Sequence, residues 1–287
     1  MTTAQPVTGS FVNKDGLEIF HQRWTVDDPA ASILLVHGLG EHSGRYGNLI
    51  KAMEGEPVSF FALDHQGHGR SGGKRGHVSD FADYTADVKQ FVDQVIRAEV
   101  PDRPLVCLGH SMGGLIAAHF ALHHQADLSA LVLSAPAFQP GSKVPAIQAA
   151  AARIVSRILP RLTQSNQLNP EDLSHDPATV QAYRADPLVH DRISTRWFVS
   201  FLATAEFCLD HAAELTLPLL VIHGAADRMV NPEGSRQFYE RAGSSDKTLR
   251  IFDDLFHETM NETPAEQEAV LAVLTGWIRE KIPLTGR

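Results

Sequence analysis

Residues 104–122 read PLVCLGHSMGGLIAAHFAL, and no other stretch limits the possible folds of this chain so tightly. The apolar run Leu105–Leu108 has the length and composition of a buried strand. Gly109 and Gly113 then bracket Ser111, and a helical pattern follows. A G-x-S-x-G pentapeptide between a strand and a helix is the context of a nucleophile elbow. The turn is so tight that bulky side chains two positions either side of the serine would collide. It lifts the hydroxyl clear of the backbone, and the helix behind lends its positive end to an anion formed there.

The rest of the chain alternates around this stretch. Residues 10–24 predict two strands about Lys14-Asp15-Gly16, a hairpin signal. Ser32–Val36, Val58–Leu63, Leu128–Leu133, Leu217–Ile222 and Thr248–Phe252 are further apolar strand candidates. Helical spacing marks a helix beginning near Arg45, the segment Asp80–Glu99 and a final helix at about Glu266–Ile282. Such alternation implies a mostly parallel sheet of about eight strands covered on both faces. A length of 287 residues, 43% of them apolar, suits one large α/β domain with an insertion.

The alternation breaks between Ser134 and Leu217. Prolines recur there, no convincing strand is visible, and the segment is too long for a simple crossover. It predicts a helical cap at residues 136–214, inserted after the sixth strand into a core of residues 1–135 and 215–287. Within it, Ala146–Leu162 carries Ile147, Ala151, Ile154, Ile158 and Leu162 on one helical face and Arg153, Arg157 and Arg161 on another. One reading packs this helix on the domain with a solvated basic side. The other rests it on a lipid surface, making transient contact there with its arginines at the head groups.

Composition excludes several classes of partner. The net charge of −9 with no long basic run gives nothing to attract nucleic acid. No apolar run reaches the roughly 18 residues of a membrane span. The stretch MTTAQPVTGS has neither the basic start nor the apolar core of a secretory signal, and a reducing cytoplasm is the expected location. Cys107 and Cys208 form no disulfide framework or metal-ligand spacing, and no metal is expected. The sequence does not set the oligomeric state.

Three groups must meet for the serine to act. Its hydroxyl needs a base, and the base needs a carboxylate to fix its tautomer. Among fifteen histidines, position decides. His257 follows the Thr248–Phe252 strand and Asp227 follows Leu217–Ile222, both in loops at strand C-terminal ends, where reactive groups of parallel sheets gather. The order serine, acid, histidine is that of the α/β-hydrolase arrangement. Asp253 and Asp254 sit too close to His257 and read as turn residues. The tetrahedral intermediate needs two N–H donors, expected from Met112 and from the His37-Gly38-Leu39-Gly40 turn at Leu39. Other fragments fail. Gly38-x-Gly40 lacks the third glycine of a dinucleotide loop, and His257-Glu258 lacks the second histidine of a zinc protease. His65, His68 and His77 read as hydrogen-bonded scaffolding, and His110 as packed against the sheet.

Four segments together resemble the monoacylglycerol lipases. They are His37-Gly38-Leu39-Gly40-Glu41-His42-Ser43-Gly44-Arg45-Tyr46, Asp64-His65-Gln66-Gly67-His68-Gly69-Arg70-Ser71, Gly109-His110-Ser111-Met112-Gly113-Gly114 and Gly224-Ala225-Ala226-Asp227-Arg228. The first is much more specific than the elbow, which many α/β-hydrolases share. The resemblance implies an α/β-hydrolase fold and hydrolysis of a lipid-like ester beneath a cap, without metal or cofactor. It matches Ser111, Asp227 and His257 to the family's triad, Leu39 and Met112 to its oxyanion hole, and Glu41 and Arg45 to positions that hold the glycerol end. Met260 departs from the polar residue some members place there. Ile154, Ile158, Trp197, Phe198 and Phe201 are the expected lining of an acyl tunnel. A lysophospholipase or general carboxylesterase would use the same triad, and a decayed site would leave a ligand-binding module.

Overall fold

The computed structural model describes residues 5–142 and 144–282. Residues 1–4, part of the stretch searched for a secretory signal, lie outside the described residues. Eight strands form one sheet: β1 (Val7–Val12), β2 (Glu18–Trp24), β3 (Ala31–Val36), β4 (Val58–Leu63), β5 (Leu105–His110), β6 (Ala130–Ser134), β9 (Leu219–Gly224) and β10 (Lys247–Phe252). Their spatial order is β1-β2-β4-β3-β5-β6-β9-β10. The β1–β2 and β2–β4 pairs are antiparallel, and every pair from β4 to β10 is parallel. The expected hairpin supplies β1 and β2.

The central strands are apolar throughout because both faces are covered. Along β3, Leu34 and Val36 join one core while Ile33 and Leu35 join the other. The first face carries α2 (Ala82–Phe91), α4 (Met112–His124) and α8 (Pro232–Arg241), and the second carries α1 (Gly47–Ala52) and α9 (Pro264–Lys281). A π-turn at Val92–Ile96 continues α2 into α3 (Arg97–Glu99), completing the helix expected over 80–99. Cys107 and Cys208 are buried free thiols. Among the described residues no helix is long and apolar enough to cross a membrane.

Between β6 and β9 the chain forms α5 (Ala146–Ile158), β7 (Thr163–Ser165), α6 (Pro177–Ala185), β8 (Arg192–Ser194) and α7 (Thr195–Asp210). The antiparallel β7–β8 pair corrects the expectation that this segment holds no strand. Each strand is three residues long and largely polar, so neither shows alternation or an apolar run. Its partner, not its sequence, makes it a strand. Local signals do set the helix starts here: Asp176 caps α6 ahead of Pro177, and Ser194 caps α7 by accepting the Trp197 N–H.

One seam joins this segment to the loops after β3 and β4 through two backbone hydrogen bonds. His190 N–H donates to Gly40 O at 3.0 Å, and Ser194 N–H donates to Gly76 O at 2.7 Å. A Cβ at Gly40 would strike His190 O, and one at Gly76 would strike Arg192 O. Both glycines also have positive φ, 75° and 65°, where a side chain strains the backbone.

Candidate active site

Ser111 sits between β5 and α4 with φ 55° and ψ −121°, a conformation that costs a non-glycine residue on the order of 1–3 kcal/mol. The surroundings enforce it. A Cβ on Gly109 would strike Gly113 O, and one on Gly113 would strike Val36 O and His37 O. Ser111 N–H donates to Ser134 O at 2.9 Å, and Ser111 O accepts from Ala137 N–H at 3.0 Å.

The loops after β9 and β10 bring their residues to this serine. His257 Nε2 lies 2.9 Å from Ser111 Oγ, and His257 Nδ1 lies 2.6 Å from Asp227 Oδ2. The carboxylate can only accept, so Nδ1 carries the proton and Nε2 faces the hydroxyl as acceptor. Asp227 Oδ1 accepts the N–H groups of Met229 at 2.8 Å and Val230 at 3.0 Å. A residue the sequence reading missed, His223, donates Nε2–H to Asp227 Oδ2 at 3.0 Å, while its Nδ1 meets Ser235 Oγ at 2.7 Å. Its signal was its place at the end of β9, four residues before the acid. Burial pushes the Asp227 carboxyl up, but the His257 charge and the bonds from both histidines outweigh it and hold the carboxyl well below the usual range. Burial also disfavours a charged His257, but the Asp227 charge and hydrogen bond prevail and raise its pKa. Asp253 and Asp254 lie in an exposed turn.

Two recesses of opposite character meet at Ser111. On one side Leu39, Trp197, Phe198, Phe201, Met229 and Val230 line an apolar groove that reaches Ser111 and His257. On the other, Glu41, Arg45, His110, Tyr183 and Glu258 line a polar recess, and Met260 lines its inner end. Neither the Leu39 nor the Met112 N–H meets a protein acceptor among the described residues. Glu41 Oε1 accepts from Gly38 N–H at 2.6 Å and Tyr46 OH at 3.0 Å, and its Oε2 accepts from Arg45 at 3.1 Å. Arg45 also grips Glu258 with two N–H donors, at 2.5 and 2.9 Å, and stacks over the Tyr183 ring. His110 lies against His257, ring centroids 4.8 Å apart, and burial, aided by that neighbour, pushes its pKa down to about 4.

Ile154 and Ile158, expected in an acyl tunnel, are 62% and 72% exposed and face away from the groove. Helix α5 presents Gln148, Ala152 and Val155 to the recess beside the groove instead. Helical spacing shows that one face is apolar, not which way it turns. Of the five expected lining residues, Trp197, Phe198 and Phe201 reach the groove because α7, not α5, forms its wall. His175, Glu262 and Glu266 come close enough to share a cation. The Glu262 oxygens are, however, taken by Phe256 N–H at 2.8 Å, His175 N–H at 2.8 Å and Ser174 Oγ at 3.2 Å, which tie the segment between β6 and β9 to the His257 loop.

Comparison with known proteins identifies the family. Residues 27–264 match the family model Hydrolase_4, described as serine aminopeptidase, S33. The monoacylglycerol lipase of Mycolicibacterium smegmatis is 36% identical over 271 residues, covering 94% of this chain and 95% of that protein. The human monoglyceride lipase is 35% identical over 282 residues, covering 96% and 91%. The crystal structure of the Paleococcus ferrophilus monoacylglycerol lipase superposes with a TM-score of 0.84 at 34% identity, covering 92% of this chain and 99% of that one. This chain belongs to the Hydrolase_4 (serine aminopeptidase, S33) family and is a carboxylic ester hydrolase of α/β-hydrolase fold.

Proposed function

We propose that the chain hydrolyses monoacylglycerols to a fatty acid and glycerol through an acyl-enzyme on Ser111. The observation that carries this reading is the position of Ser111 Oγ, bonded to His257 where an apolar groove meets a polar recess. The acyl chain lies along Trp197, Phe198 and Phe201. The glycerol end occupies the recess beside Glu41 and Arg45. Oγ attacks the ester carbonyl as its proton passes to His257 Nε2, and Asp227 steadies the imidazolium. The Leu39 and Met112 N–H groups take the carbonyl oxygen as it becomes negative. His257 then returns the proton to the departing glycerol oxygen. Water, deprotonated by His257, cleaves the acyl-enzyme and regenerates Ser111.

Residues 136–214 act in this reading as a cap on a core of residues 1–135 and 215–287. Ile147, Ile154, Ile158, Leu159, Leu162 and Leu168 are exposed apolar side chains on and after α5, in the same stretch as exposed Arg153, Arg157 and Arg161. That combination suits transient contact of a cytoplasmic enzyme with an anionic lipid surface.

The experiment is a substrate panel of monoacylglycerols of varied chain length, lysophosphatidylcholine and short p-nitrophenyl esters, run beside Ser111→Ala. Monoacylglycerol should give the highest kcat/KM, and Ser111→Ala should lose both turnover and fluorophosphonate labelling. Hydrolysis persisting in that variant would remove the mechanism. Preference for lysophosphatidylcholine or short esters would replace the substrate.

A further inference from the structure

The oxyanion turn is held at three backbone atoms, each by a different partner. Gly38 N–H donates to Glu41 Oε1 at 2.6 Å, and Gly40 O accepts from His190 N–H at 3.0 Å. The third atom is Gly38 O, and it lies 2.8 Å from Nδ1 of His37. His37 is fully buried at the end of β3, and its other ring nitrogen, Nε2, lies 2.9 Å from the backbone N of His65.

These two contacts fix the proton on the ring. A backbone N–H can only donate, so Nε2 of His37 is an acceptor. The neutral ring then carries its proton on Nδ1 and donates it to Gly38 O. Gly38 C=O and Leu39 N–H belong to one planar trans peptide and point in opposite directions. A group that fixes the carbonyl therefore fixes the N–H. Leu39 lines the groove above Ser111, and a Cβ on Gly38 would come 3.2 Å from Ser111 Cβ. The Leu39 N–H thus faces the serine side while His37 holds the carbonyl on the buried side.

We propose that His37 is the positioning residue of the oxyanion hole, its Nδ1–H holding the Gly38–Leu39 peptide so that the Leu39 N–H meets the developing charge. The inference rests on the reading of Leu39 as a donor given above. It differs from a packing role for His37, which also lies against His65 and His68 with ring centroids 4.3 and 5.5 Å away.

Two measurements test it. Nitrogen-15 NMR of the histidine-labelled wild-type enzyme reads the tautomer directly, without a substitution. The proton should be on Nδ1 of His37, and a proton on Nε2 overturns the proposal. The second is the pair His37→Asn and His37→Gln, compared by kcat, KM, thermal melting and affinity for a trifluoromethyl ketone whose hemiketal oxygen occupies the hole. Asn places an amide where Nδ1 stood, and Gln places one where Nε2 stood. His37→Gln should lower kcat and ketone affinity by about 10²-fold with KM little changed, the scale of one lost oxyanion donor, while His37→Asn retains most of both. Equal losses in the two variants, or losses that follow melting temperature alone, overturn it. Ser111-independent hydrolysis would instead remove the nucleophile and leave the tautomer result standing.

Discussion

The guanidinium of Arg45 holds both carboxylate oxygens of Glu258, at 2.5 and 2.9 Å, and Glu258 is the residue next to His257. The same guanidinium reaches Glu41, whose other oxygen secures the oxyanion turn. One cation therefore ties together the two loops that must meet over Ser111. Arg45 and Glu258 side chains are 11% and 4% exposed, so removing Arg45 strands the buried Glu258 and Glu41 carboxylates. Arg45→Ala should lower the unfolding free energy by about 3–5 kcal/mol in urea denaturation, and Arg45→Lys should recover little, since an ammonium cannot make the two-pronged bond.

The acid limb of the rate profile belongs to His257. The imidazole must be neutral to accept the Ser111 proton, and Asp227 raises its pKa above the ordinary 6.5 against the opposing effect of burial. The kcat/KM should therefore rise with pH through an apparent pKa above 6.5 and then level off. Asp227→Asn should move that limb to lower pH and reduce kcat on the order of 10⁴-fold, because the asparagine no longer favours the Nδ1–H tautomer. A pH–rate profile of the two proteins on a soluble ester checks both.

His223 is the second histidine on Asp227. Its loss leaves the buried carboxylate one donor short and Ser235 Oγ without its ring partner. His223→Ala should destabilise the fold by about 1.5–3 kcal/mol, the usual worth of a hydrogen bond to a charged group. Chemical denaturation measures the stability, and the midpoint of the acid limb shows whether Asp227 still holds His257 as firmly.

The exposed isoleucines of α5 separate chemistry from docking. The double variant Ile154→Ser and Ile158→Ser should leave hydrolysis of a soluble short ester unchanged. Partitioning onto vesicles containing anionic lipid should fall by at least about tenfold, given about 1.5–3 kcal/mol for each fully buried isoleucine. Vesicle co-sedimentation of the variant beside the wild type checks it.

The sequence exposes those parts of the fold that depend on strong local patterns. Central strands buried on both faces are runs of Val, Ile and Leu, and the Gly109–Gly113 spacing can be read because backbone crowding there excludes any side chain. Ser111, Asp227 and His257 could be placed because each follows a strand, and the sheet gathers strand ends. The β7–β8 pair was hidden because its residues are polar and its pairing is not local. The facing of α5 was hidden because periodicity carries no absolute direction. The parts played by His223 and His37 depend on partners 4 to 28 residues away and on which ring nitrogen each meets, which composition does not encode.

The seam at Gly40 and Gly76 bears on how this enzyme can be altered. Side chains in the groove can be exchanged one at a time, but the segment that covers it is not an interchangeable part. Besides its side-chain ties, it is attached main chain against main chain at two points where even a methyl group would intrude. A transplanted cover from a relative would have to reproduce the backbone path of residues 190–194 as well as the side-chain bonds of His190 and Ser194. One of those two points lies within the turn proposed to receive the negative oxygen, so a poor graft should first show itself as slow chemistry and not as altered selectivity.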